Sequence, residues 1–165
     1  MKFMKLLSAA LLVGVLALNA ESDMFLSHAG EKNSMMVSDA WSRARPADAI
    51  IGGAFATLHN MEDEEDRLVA ASSPVADRVE IHSSAMKDGV MSMFRIEELV
   101  IPAGETIMMK PGSFHVMLMG LKEPLTKGKE FPVTFNFAHA GEVTVTVHVK
   151  EAGAMDMKMH KHKQD

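Results

Sequence analysis

One ten-residue stretch, residues 111–120, carries side chains with a distinctive chemistry. It reads Pro-Gly-Ser-Phe-His-Val-Met-Leu-Met-Gly. If it is a strand, successive side chains point to opposite faces of the sheet. The apolar row, which suits a core, is then Phe114, Val116 and Leu118. The other row is His115, Met117 and Met119. Imidazole and thioether are soft donors of the kind that select monovalent copper, so this row predicts a Cu(I)-binding face.

A second stretch, residues 79–96, repeats the division into an apolar face and a His/Met face. Asp88-Gly89 lies between two alternating runs, and this dipeptide favours the type I′ turn of a two-residue hairpin. In that register His82 and Met93 are diagonal neighbours, about 7 Å apart at the backbone. The predicted His/Met face holds His82, Ser84, Met86, Met91, Met93 and Arg95. The predicted core face holds Val79, Ile81, Phe94 and Ile96.

The composition favours a soft-metal site without thiolates. The chain of 165 residues contains 16 Met and no Cys. It therefore has no disulfide, no thiolate ligand and no cysteine that could be lipidated. In an oxidising compartment thiols are lost to disulfides, whereas a thioether forms no disulfide and needs no deprotonation. An exported protein that holds a soft metal therefore has reason to use Met.

The first twenty residues have the pattern of a secretory signal peptide, with Lys2 and Lys5, an apolar run over 6–18 and small residues up to Ala20. Cleavage after Ala17 also fits. Residues 21–36 are predicted to be a flexible leader, 37–150 the domain, and 151–165 a Met/His-rich tail. No other apolar run is long enough for a membrane helix. We therefore expect an exported protein with no membrane anchor after cleavage.

Charge and missing motifs exclude several functions. Removal of the two signal-peptide lysines leaves 15 basic against 22 acidic residues, a formal charge of −7. This argues against nucleic acid and anionic membranes as partners. Blue-copper electron transfer needs a Cys ligand, which this chain lacks. No Ser/His/acid arrangement of a hydrolase can be named, so we expect that the protein is not an enzyme.

The arrangement of short alternating segments predicts the fold. About nine short strands with closely spaced turns predict an all-β Greek-key sandwich or barrel, with flexible extensions at both ends. Trp41 is the expected anchor of the core, and one of Met108 and Met109 is expected to pack inward. The acidic run 62–66 lacks calcium-loop spacing and is predicted to be a solvated loop. The histidines expected at the surface or in capping positions are His59, His139 and His148.

The order His82-x10-Met93-x21-His115-x-Met117 resembles the PCu(A)C family of periplasmic copper chaperones. The resemblance covers about residues 37–149 and includes Val-Ser-Asp-Ala-Trp, Asp-Gly-Val-Met-x-Met and His-Val-Met-Leu-Met-Gly-Leu. It implies a cupredoxin-like β-sandwich that binds Cu(I) through these four residues. It also implies delivery toward the Cu(A) centre of cytochrome c oxidase, to subunit II directly or with a Sco-type copper protein.

Further donors surround the four predicted ligands. Candidates for shielding the site or for alternative ligation are Met86, Met91 and Met119. Some members of the family carry a His/Met-rich C-terminal extension that takes Cu(II). The tail residues that fit this role are Met155, Met157, Met159, His160 and His162.

Two other functions remain open at this point. A copper storage or resistance protein would hold the metal without a dedicated acceptor, and a copper-transfer assay separates it from a carrier. An adhesive or structural β-domain predicts no copper affinity. If the protein binds copper, binding should weaken as histidine protonates near its usual pKa of about 6.5, since only neutral imidazole coordinates a metal.

Overall fold

The computed structural model describes residues 35–155, which form ten β-strands and no helix. The all-β prediction is confirmed. The strands are β1 Met35–Arg43, β2 Ile51–Asn60, β3 Asp66–Ser72, β4 Ala76–Lys87, β5 Val90–Arg95, β6 Leu99–Ile101, β7 Thr106–Met108, β8 His115–Leu121, β9 Glu130–Phe137 and β10 Gly141–Lys150.

The strands follow one hydrogen-bonded path in the order β5-β4-β8-β2-β1-β10-β9-β3-β6, with β7 paired to β2. Neighbouring strands in this described sheet are antiparallel, except that β1 and β10 are parallel. β3 also contacts β4, and β6 contacts β2, although neither pair is hydrogen-bonded. The sheet is therefore folded back on itself, and the apolar side chains are enclosed between its two halves.

The residue that the sequence predicts as the anchor of the core is buried, although it lies outside the main cluster of buried apolar side chains. Trp41 is 1% exposed, and its ring lies 4.6 Å from that of Phe55, centroid to centroid. Aromatic pairs at such distances add about 0.5–1.5 kcal/mol beyond the burial of their area. Met109 is buried whereas Met108 is half exposed, which confirms that one of these two methionines packs inward.

The β4–β5 hairpin has the predicted turn and register. Asp88 and Gly89 both have positive φ angles, 51° and 78°, as a type I′ turn requires. The paired residues are His82 with Arg95, Ser84 with Met93, and Met86 with Met91. The diagonal relation of His82 and Met93 is therefore confirmed.

The prediction that Phe94 faces the core is wrong. Phe94 is 48% exposed, because β5 is the edge strand of the sheet and has a neighbour on one side only. The boundary of the predicted leader also differs. β1 begins at Met35, the first described residue, and this side chain is buried in the core.

The acidic run is not entirely a solvated loop, because its last member is structural. Asp66 is 5% exposed, and its carboxylate accepts hydrogen bonds from the backbone N–H groups of Arg67, His139 and Ala140. These bonds tie the start of β3 to the β9–β10 turn. The side chains of His139 and His148 are exposed as predicted.

Several sequence predictions fall on residues outside the described range. These are the signal peptide, the leader up to residue 34 and the tail beyond residue 155. Within residues 35–155 there is no helix long and apolar enough to cross a membrane.

Candidate metal centre

Two adjacent strands bring the predicted histidines side by side. β4 and β8 are hydrogen-bonded neighbours, and His82 is the direct cross-strand partner of His115. The centroids of the two rings are 5.8 Å apart. Directly opposed residues on neighbouring strands project to the same face, so both imidazoles lie on one surface of the sheet.

The two predicted methionine ligands flank this histidine pair on the same face. Met117 is two residues from His115 along β8 and pairs with Glu80 on β4. Met93 pairs with Ser84, two residues from His82 along β4. Met93, His115 and Met117 line one open pocket of about 260 Å³. The fold therefore gathers the four predicted residues in one region, while their role as metal ligands stays a prediction.

One ring nitrogen of His82 is hydrogen-bonded, and the other has no hydrogen-bond partner. Its Nε2 lies 2.8 Å from Oε2 of Glu80, and a carboxylate can only accept, so Nε2 carries the proton. The bond from His82 is the main reason why the pKa of Glu80 is lowered, with Arg78 and Arg95 adding to it against the opposing effect of burial. Nδ1 of His82 is buried and has no hydrogen-bond partner. It therefore presents a lone pair that the protein does not use.

His115 is arranged in the complementary way. Its Nδ1 lies 3.0 Å from the carbonyl oxygen of Ser113, which can only accept, so Nδ1 carries the proton and Nε2 holds the lone pair. The side chain is 6% exposed. Burial lowers the pKa of His115, and the nearby His82 lowers it further, against the opposing effect of the Ser113 bond. The imidazole is therefore neutral at pH 7, the form that binds metals.

Both histidines follow a pattern that is typical of metal ligands. A metal-binding His commonly donates its second ring N–H to a carboxylate or a backbone carbonyl, which fixes the tautomer and the ring orientation. Glu80 and the Ser113 carbonyl do this here. Sequence analysis missed both. The sequence could have indicated Glu80, because it stands two residues before His82 and therefore lies on the same face of a strand. A backbone carbonyl leaves no such indication in the sequence.

The four predicted ligands offer two imidazoles and two thioethers. These residues differ in access, since His115 is buried whereas Met93 is 60% exposed on the edge strand. The described residues contain no group of three or more His, Cys, Asp or Glu that could hold a metal ion. Neutral nitrogen and sulfur donors suit Cu(I), so the residues present fit that ion.

The auxiliary methionines are spread around this face. Met86 is 64% exposed, and Met91 has its methyl group 4.0 Å from the position that a Cβ on Gly112 would occupy, at the edge of the pocket. The sulfur of Met119 accepts a hydrogen bond of 3.3 Å from Arg78. Met155 is exposed. The remaining tail residues, outside the described range, are Met157, Met159, His160 and His162.

The fold and the site define an all-β, cupredoxin-like domain. The profile of the family described as "LpqE-like: Putative lipoprotein LpqE-like" matches residues 35–149. The chain belongs to this family.

Individual relatives agree with that assignment. A protein of Leifsonia xyli named "Putative lipoprotein Lxx21020" is 34% identical over 122 residues, which are 73% of this chain and 72% of the relative. Among solved structures, CuI-DR1885 from Deinococcus radiodurans is 30% identical, with a TM-score of 0.56, over 70% of this chain and 77% of that one.

The copper-bound PCuAC domain from PmoF2 is 24% identical, with a TM-score of 0.62, over 72% of this chain and 93% of that one. At this identity it shows the fold alone. Taken with the family match and the Deinococcus structure, it confirms the resemblance to PCu(A)C proteins. Both solved relatives are copper-bound proteins by name.

Proposed function

We propose that this protein is an exported copper carrier, not an enzyme, that binds Cu(I) through His82, Met93, His115 and Met117. The observation that carries the proposal is the His82–His115 pair. Each ring donates one N–H to an acceptor that can only accept, and each keeps its other nitrogen unprotonated. Copper in two related solved structures supports the choice of metal.

The donor set determines how firmly the ion is held. Two imidazoles and two thioethers are neutral, so bound Cu(I) keeps its single positive charge. Such a site holds copper less tightly than thiolates do. The exposed side of Met93 gives an incoming ligand access to the ion before any existing bond breaks. A carrier needs this combination, because it must release its cargo to a stronger acceptor.

The destination follows from the resemblance to PCu(A)C proteins. We infer delivery toward the Cu(A) centre of cytochrome c oxidase, to subunit II directly or together with a Sco-type copper protein. A periplasmic location is supported by the signal-peptide pattern in residues 1–20 and by the lipoprotein names of the relatives. The 165 residues contain no Cys, so they offer no cysteine for a lipid.

Copper storage is the second candidate function. It is favoured by the concentration of additional donors in the tail, with three Met and two His between residues 155 and 162. A transfer assay decides between the two functions. The Cu(I)-loaded protein is mixed with the apo form of oxidase subunit II or of a Sco-type protein, and the copper in each is measured after separation. A carrier gives up its ion, whereas a storage protein retains it.

X-ray absorption on the Cu(I)-loaded protein tests the ligand set. We expect two nitrogen and two sulfur neighbours. The matched control is His148→Ala, which removes an exposed imidazole on β10 and should leave the spectrum unchanged. A first shell without sulfur would contradict the assignment of Met93 and Met117.

Removal of residues 156–165 tests the proposed Cu(II) role of the tail. The truncation keeps the Arg43–Ala154 hydrogen bond and all described strands. We expect lower Cu(II) capacity and unchanged Cu(I) affinity, because the four predicted Cu(I) ligands lie outside the deleted segment. Equal Cu(II) uptake by the full chain and the truncated chain, measured by equilibrium dialysis, would refute the role.

A further inference from the structure

Two arginines border the pocket beside the candidate metal residues. Arg43 ends β1, and Arg45 lies in the loop that follows; both line the pocket that contains Met93, His115 and Met117. Nε of Arg43 donates to the carbonyl of Ala154 at 2.9 Å. Nε of Arg45 donates to the carbonyl of Ile51 at 3.0 Å. These bonds orient the two guanidinium groups, whose terminal nitrogens donate no hydrogen bond to another of the described residues.

Within residues 35–155, no carboxylate neutralises either arginine. In the part of the chain that the structure describes, neither guanidinium forms an ion pair with a carboxylate. By contrast, Arg67, Arg78 and Arg95 are all paired with glutamates. Two arginines that form no ion pair with the described residues stand out at one pocket, because the whole chain has 22 acidic and 17 basic residues. Arginine recognises carboxylates through a rigid fork of donors.

The acidic end of the molecule lies far from this pocket. β2 starts at the pocket with Ile51 and Gly52 and leads at its other end into the exposed acids of residues 62–65. A ten-residue strand rises about 30 Å, so the acids of residues 62–65 are separated from the start of β2 at the pocket by roughly that distance. An acidic partner is repelled by one end and attracted to the other, which orients its approach.

The same end offers apolar contact area. β5 is an edge strand, and all six of its residues are exposed. The large apolar side chains that it presents are Val90, Met91, Met93 and Phe94. A small free carboxylate would use the arginines alone, whereas a protein would cover both the arginines and the apolar strand. The surface therefore fits a protein partner.

From this arrangement we propose that the rim formed by Arg43, Arg45 and β5 is the docking surface for the protein that receives the copper. That partner presents an acidic surface around its own metal-binding groups. The inference rests on the proposed carrier function and adds the chemistry of the recipient.

The test uses the full Cu(I)-loaded chain and two synthetic acceptor peptides. Both peptides contain the same Cys-x-x-Cys copper-binding sequence, flanked by glutamates in one and by lysines in the other. Transfer is followed by stopped flow at low and high salt. We expect the glutamate peptide to receive copper about tenfold faster at low salt. The difference should vanish near 0.5 M salt, because exposed charges are then screened.

Matched variants assign the effect to the rim. The preference for the glutamate peptide should be lost in the single variant Arg45→Gln and in the double variant that also carries Arg43→Gln. Arg67→Gln removes the same charge from β3, away from the pocket, and should keep it. Arg45 is exposed, so its single variant tests the idea even if the double variant folds poorly.

Three results would overturn the inference. The first is a loaded chain that shows no preference between the peptides. The second is an equal loss of preference in Arg45→Gln and Arg67→Gln, which would assign the effect to net charge. The third is that millimolar free glutamate slows copper transfer to both peptides equally, which would mean that the arginines bind a small anion instead of a protein partner. A chain that takes up no Cu(I) overturns the carrier function as well.

Discussion

Two histidine environments in the same sheet differ in how their ring nitrogens are used. His59 on β2 has Nε2 3.0 Å from the hydroxyl of Ser38 and Nδ1 3.0 Å from the hydroxyl of Thr106. Both of its nitrogens are occupied, by groups on the two flanking strands. His82 on β4 uses one nitrogen for Glu80 and leaves the other buried without a partner.

The hydrogen-bond partners of these histidines also differ in which tautomers of the ring they allow. A hydroxyl can donate or accept, so the surroundings of His59 tolerate either tautomer. The Glu80 carboxylate and the Ser113 carbonyl can only accept, so each fixes one tautomer and holds the remaining lone pair in one direction. A buried polar atom without a partner costs about 1–3 kcal/mol. The open nitrogen of His82 therefore does not stabilise the fold and is available to a ligand.

The largest expected effect is the loss of a predicted ligand. His115→Ala should weaken Cu(I) binding by about a hundredfold or more, since loss of an outer-shell partner alone typically costs 10–100-fold. His59→Ala, with both of its nitrogens already occupied, should leave the affinity unchanged. Competition against a chromophoric Cu(I) chelator measures both. Equal affinities in the two variants would break the distinction between the two environments.

The next effect concerns the group that orients His82. Glu80→Ala should lower Cu(I) affinity by about 10–100-fold, because Nε2 loses the carboxylate that fixes its proton. Ser38→Ala is the matched control, since it removes a side-chain partner from Nε2 of His59. The same competition titration applies. An unchanged affinity in Glu80→Ala would show that the carboxylate serves the fold alone.

A smaller effect, on the free energy of unfolding, is expected when His59 is replaced. Replacement by Ala leaves the hydroxyls of Ser38 and Thr106 without their bridging partner, at a cost of about 1 kcal/mol. Urea unfolding measures the change in the free energy of unfolding. A variant as stable as the parent would mean that the bridge between β1, β2 and β7 adds nothing to the fold.

The smallest effect is a pH dependence of stability from His115. Its folded-state pKa lies below the ordinary value of 6.5, so just below pH 6.5 the unfolded chain binds more protons than the folded one. The free energy of unfolding should therefore fall as the pH drops from 6.5 toward the folded-state pKa, and its full value should be present above 6.5.

Urea unfolding of the apo protein at pH 7.5 and 5.5 measures this loss. His115→Gln, which does not titrate, should lose less stability than the parent over the same interval. The pKa of Glu80 is lowered from 4.5, so this carboxylate stays ionised throughout. A loss of stability that is as large in the variant as in the parent would exclude His115 as its source.

The features that sequence predicts well are those fixed by local geometry. Asp88 and Gly89 determine the hairpin register through their turn type. This register places His82 diagonally opposite Met93, whatever the rest of the fold. Alternation along β8 likewise separates the fully buried Val116 and Leu118 from the partly exposed Met117.

The features that sequence misses depend on long-range pairing. The exposure of Phe94 follows from the position of β5 at the edge of the sheet, which alternation within the hairpin does not reveal. Asp66 belongs to an acidic run by sequence, and only the fold brings it to the amides of the β9–β10 turn. Arg43 and Arg45 reach the pocket because β1, β2 and β8 are successive neighbours in the sheet.

The edge position of β5 has a consequence for the order in which the proposed site comes apart. His82, His115 and Met117 lie on β4 and β8, each braced by a hydrogen-bonded strand on both sides. Met93 lies on a strand secured along one side only. Amide hydrogen exchange should therefore be faster in β5 than in β4 and β8, and in the proposed site Met93 should be the first of the four ligands to dissociate, so that the ion leaves along this edge of the sheet.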